Sequence, residues 1–211
     1  MAPPVIERYV ARALRELERD GLMLETDPKL PSLVALVAGG PIHGSWWGHP
    51  LGHTIFAAGE ALYDHPDVLL VKLVSGKATW VHRRLWPALL AVALSGEAWQ
   101  VDGLPEQARA LLTRVRREGE LAASGEPARE LETRLLVRGA QMHTESGRHS
   151  RILEPWERWA KRTGVSRGSV AAEEGRAELE LTLAELNRRH EGSGRLKWQK
   201  GVRRRTRPTS R

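Results

Sequence analysis

The run VLLVKLVSGKATWVHRR, residues 68–84, decides how this chain is read. Two segments rich in branched and aromatic residues flank Ser75, Gly76 and Lys77, a pattern that predicts a β-hairpin. Everything upstream has the other period. Residues 4–20 place Ile6, Val10, Ala13, Leu14 and Leu17 on one helical face, with proline at the start and Gly21 as the stop. A short helix is expected over 32–38, ended by Gly39 and Gly40. A third helix should start at His49 or Pro50, because proline suits a first turn, and run to Tyr63 with Leu51, Ile55, Ala58 and Leu62 inward.

Helix, short helix, helix and hairpin follow one another in an order that resembles a winged helix-turn-helix domain, over residues 4–84. No family motif accompanies that likeness. A helix at 85–94 follows. The second half runs in a similar order. Helices are expected at 104–117 and 127–138, with Leu131, Leu135 and Met142 inward, then a hairpin around Ser146 and Gly147 and a helix in EPWERWAKR. The expectation is a mostly α protein with short β-hairpins, built from one winged-helix-like unit or two in tandem. A C-terminal helix and a disordered basic tail complete it. The corresponding divisions are residues 1–100, 101–168, 169–191 and 192–211.

The net charge of +7 is unevenly placed. Residues 195–211 hold eight Lys or Arg and no acid, while the rest of the chain carries 25 bases against 26 acids. Such a run binds polyanions by releasing counterions, with little sequence selectivity. Arginine outnumbers lysine 27 to 6, which fits codon bias in a GC-rich genome as well as phosphate recognition. There is no cysteine, so disulfides and thiolate metal sites are excluded. Glu7, Arg8 and Arg12 stand where a signal peptide is apolar, and no apolar run is long enough to cross a bilayer. A cytoplasmic protein without a membrane partner is expected.

Nucleic acid, DNA or RNA, is therefore the expected partner. Its contacts are assigned to Arg195, Lys197, Trp198, Lys200, Arg203, Arg204, Arg205 and Arg207 in the tail, and to Lys72, Lys77, Arg83 and Arg84 around the hairpin. Trp198 is placed to stack on an unpaired base. The third helix offers only His53, Thr54, Glu60 and Asp64, which argues against base readout in a major groove. Non-specific binding in DNA or RNA maintenance is the leading reading.

Two alternatives come from other residues. His143, Glu145, Arg148 and His149 have the side-chain types needed for proton transfer and oxyanion stabilisation, as in a nuclease or glycosylase acting in repair. Trp46 and Trp47, adjacent in a glycine-flanked loop, suit an interaction surface for a protein partner. His49 and His53, with His82 or His43, have metal-ligand spacing. That pair straddles a helix start and no carboxylate completes a known motif, so neither a metal nor another cofactor is expected.

Overall fold

A computed structural model describes residues 3–143 and 149–201 of the chain. The hairpin reading holds. Strands β2 (Val68–Lys72) and β3 (Ala78–His82) pair antiparallel, with Leu70 opposite Trp80. A third strand, β1 (Leu22–Leu24), lies on the other side of β3, giving the order β1-β3-β2. Both faces of this sheet are covered. Met23, Val68 and Trp80 face one apolar cluster, while Leu22, Leu24, Leu69, Val71 and Val81 face another. That is why VLLV is continuously apolar instead of alternating.

The first face is closed by α1 (Pro3–Asp20), α2 (Leu33–Ala38) and α3 (Gly52–Tyr63). Ser32 caps α2, its Oγ accepting from the Ala35 N–H at 3.3 Å, and Gly39 ends the helix in the left-handed region. The second face is closed by α4 (Trp86–Ala93) and by the long α9 (Ala172–His190). Leu179, Leu183 and Leu186 of α9 join that cluster. Gly175 lets α9 press against α4, since a Cβ there would lie 2.6 Å from the Ala88 carbonyl oxygen.

After the one-turn α5 (Ala98–Val101), the second half repeats the order of the first with one helix fewer between its first two strands: α6 (Glu106–Glu118), β4 (Leu121–Ala122), α7 (Gly125–Thr133), β5 (Arg138–His143), β6 (His149–Glu154) and α8 (Trp156–Thr163). Its sheet order, β4-β6-β5, matches that of the first sheet. Described residues are thus mostly helical, with two small antiparallel sheets. Among them, no helix is long and apolar enough to cross a membrane.

One expected helix ends early. Periodicity carries it to residue 138, but α7 stops at Thr133 and Leu135 takes a φ of 53°. A continuous helix would put Leu131 and Leu135 on one face. Instead Leu131 packs with α6, and Leu135 enters the cluster shared by α4, α8 and α9. Met142, expected to face inward from that helix, belongs to β5. The bend is fastened from outside, the Arg134 guanidinium donating to the carbonyls of Gln100 and Asp102 at 3.1 and 2.7 Å. Buried Gln100 returns the link by donating to the Arg134 carbonyl at 3.2 Å.

Candidate functional site

The bases around the first hairpin are more committed than their sequence suggests. Lys77 donates to Asp27 at 2.8 Å, and Arg83 to Asp67 at 2.8 Å. Arg84 is exposed and lies over Gly21, where a Cβ would meet its Nη2 at 2.7 Å. Lys72 is half-buried on the side of β2 that faces the second half. Burial lowers its pKa first, and the positive charges of Arg151 and Arg129 lower it further, against the opposing pull of Glu132 and Glu25.

Residues 192–201 overturn the expectation that a disordered tail begins at 192. Asn187 clamps Gly194 with both ends of its amide, accepting from the Gly194 N–H at 2.8 Å and donating to its carbonyl at 2.9 Å. Ser75, at the tip of the first hairpin, donates its N–H to the Arg195 carbonyl at 2.7 Å. Leu196 is fully buried in the cluster shared by α4 and α9. Lys197 pairs with Glu130 at 3.2 Å and also donates to Thr133, both on α7. The segment is a strap across the two halves. It holds because it carries a leucine and a tryptophan to bury among its basic residues.

Trp198, the residue assigned to base stacking, is part of that strap and partly buried in it. Its ring lies 5.2 Å from that of Trp99, and its Nε1 donates to Glu180 at 2.6 Å. Arg203, Arg204, Arg205 and Arg207 lie outside the described residues, as does the side chain of Lys200.

The loop that holds Trp46 and Trp47 is a short 3-10 turn, Trp46–Gly48, leaning on the start of α3. Gly52 permits the approach, because a Cβ there would lie 3.0 Å from the Trp47 carbonyl oxygen. His49 serves this turn too: its Nδ1 accepts from the Leu51 N–H at 3.2 Å. His82 plays the same part for the turn after β3, its Nδ1 facing the Arg84 N–H at 3.5 Å. Burial, then the charge of Arg84, lowers the pKa of His82. His53 is exposed on α3. No group of three metal-ligating side chains occurs among the described residues.

The two indoles stack, with centroids 4.3 Å apart and planes 21° from parallel, and Phe56 lies 5.7 Å from Trp47. Trp47 stays 61% exposed. Beside the stack a cleft of about 110 Å³ opens between α3 and the first sheet. Aromatic rings and the carboxylates of Glu25 and Glu60 line it, without a Lys, Arg or His among the described residues.

Sequence reasoning missed the charged seam next to this cleft. Glu132 on α7 accepts from Arg151 on β6 at 2.9 Å, and Lys72 and Glu25 of the first half face the same pair. Burial raises the pKa of both Glu25 and Glu132, against the charges of Arg151 and Lys72. Gly139 makes room for Glu132, since a Cβ there would overlap its carboxylate. A buried glutamate in α7 gives no signal in a linear pattern; a glycine inside a strand was the one visible hint. Nearby, Glu154 accepts from Arg138 and Arg162, each at 2.6 Å, and Arg138 reaches Tyr63 of α3 at 3.5 Å.

His143 and His149 are register partners across β5 and β6. Glu145 and Arg148 lie outside the described residues, as do the side chains of His143 and His149. Comparison of the chain with protein-family models, characterised proteins and solved structures finds no match.

Proposed function

We propose that this is a nucleic-acid-binding protein of low sequence specificity, serving DNA or RNA maintenance, with one winged-helix-like unit or two in tandem. The observation that carries the reading is the anchored root of the basic segment. A run of eight Lys or Arg without an acid begins at a strap seated across both halves, beside the tip of the first hairpin. A tethered cationic arm neutralises phosphates without reading bases, and its affinity falls steeply with salt. The helix order of the first half, and the place of the first strand beside the last in both sheets, support the winged-helix-like reading. Residues 203–211 supply five arginines. Lys197, engaged by Glu130, and Trp198, engaged by Glu180, contribute little.

The test is fluorescence anisotropy with single- and double-stranded DNA and RNA across a salt series. Full-length chain is compared with a chain ending at Gly201, which keeps Leu196 and Trp198 in place. Removing five arginines should cut the slope of log affinity against log salt on duplex DNA by about 4.5. Equal slopes for the two chains would remove the arm from the interface. A second reading, an interaction surface on the body, is favoured by the exposure of Trp47.

A further inference from the structure

The cleft beside Trp46 and Trp47 has a chemistry that the basic arm does not need. Its walls combine π-rich rings with the carboxylate of Glu25, and among the described residues no basic side chain lines it. At about 110 Å³ it suits one head group and falls short of the roughly 300 Å³ of a drug-sized pocket. We propose that this cleft binds an alkylammonium cation, seated against the rings of Trp46, Trp47 and Trp80 and beside the carboxylate of Glu25.

Three observations point the same way. Trp47 is held in place without being buried, by its stack on Trp46 and by the turn that Gly52 admits. A fixed, open indole face is the element that quaternary and alkyl ammonium sites use, because the ring quadrupole attracts positive charge. Glu25 is anchored through its backbone, its N–H donating to Ala78 at 2.9 Å and its carbonyl accepting from Val34 at 3.1 Å. Its carboxylate makes no hydrogen bond among the described residues, although it is largely withdrawn from water. Lys72 and Arg151 act on it only through space, so a donor arriving in the cleft completes a partly buried charge. An anion would gain nothing beside the Glu25 carboxylate, and an uncharged apolar group would leave that carboxylate without a donor.

The experiment follows the indole N–H signals of the full chain by NMR during titration. The probes are n-butylammonium and choline, with butan-1-ol and 3,3-dimethylbutan-1-ol as their neutral isosteres. At least one cation should shift the Trp47 and Trp80 signals while leaving Trp198 in place, and its isostere should bind at least about tenfold more weakly. Trp47→Ala and Glu25→Gln should each weaken the cation about tenfold. Trp47 is too exposed for its loss to unfold the chain, so that variant keeps the test sound if Glu25→Gln perturbs the seam. Isosteres that bind as tightly as the cations overturn the proposal. So do variants without effect, or cations that shift neither signal. A lysine amide acetylated on its α-nitrogen separates the sources of the ammonium. Binding as tight as that of n-butylammonium places it on a protein side chain, and tenfold weaker binding places it on a free amine.

Discussion

The two halves share an order of elements but are held together differently. Between the first and second strands, the first half places two helices, α2 and α3, and fills the space beneath its sheet with apolar side chains. The second half has α7 alone in that interval and ends it with a bend at Leu135. Where an apolar filling is short, charges take its place: Glu132 with Arg151, and Glu154 between Arg138 and Arg162. Buried ion pairs define geometry more than they add stability, because desolvation offsets their attraction. The second half keeps an apolar cluster of its own around Leu112, Leu131 and Leu153, and also lodges Leu135, Trp156 and Trp159 in a cluster built mainly by α4 and α9.

This asymmetry is strongest at Trp156, which is buried in the shared cluster. Trp156→Ala should cost about 3–5 kcal/mol. Denaturant unfolding followed by far-ultraviolet circular dichroism should show a single transition moved to lower denaturant. A first half that still melts at the wild-type midpoint would show that the halves are energetically separate.

A smaller effect is expected where charge replaces apolar packing. Gly139→Ala should cost about 1–3 kcal/mol by forcing Glu132 off Arg151. Combining it with Glu132→Ala should cost clearly less than the two single changes added together. Strict additivity in that double-mutant cycle would mean that the close approach at Gly139 is not what constrains the strand.

The smallest effect belongs to the edge where the halves meet. Burial raises the Glu25 pKa, so the folded state holds that proton more tightly than the unfolded chain does. Its contribution to stability is present below the ordinary carboxylate value and is lost as pH rises through the raised one. Glu25→Gln should therefore lose less stability over that mildly acidic interval and gain roughly 0.5 kcal/mol at neutral pH. Thermal melts across that pH range check it, and a steeper pH dependence in the variant would reverse the assignment.

Elements with a long period were legible in the sequence. The helix ending at Asp20 was found from its apolar stripe, and the first hairpin from its branched runs around Ser75 and Gly76. β1 and β4 were not, because three and two residues carry no period; they become strands only by pairing with β3 and β6. The end of α7 was hidden for a related reason. Leu131 and Leu135 are both apolar at helical spacing, and nothing local says that they serve different clusters. The turn of Trp46 and Trp47 was visible as an unusual loop, whereas Glu25 reaches the cleft only through the fold. The strap was obscured by its own composition, since basic residues surround the two side chains that dock it, Leu196 and Trp198.

Trp86 of α4 and Trp156 and Trp159 of α8 have a consequence of another kind. Trp159 lies 5.4 Å from Trp86 at 73° and 5.5 Å from Trp156 at 86°. Indoles so close and so nearly perpendicular couple their electronic transitions and give a strong near-ultraviolet dichroic signal, which fades when fixed packing is lost. The junction of the two halves thus contributes, with the Trp46–Trp47 and Trp99–Trp198 pairs, to an optical signal of fixed packing that is readable in unmodified protein as the chain is heated, diluted or loaded with a partner.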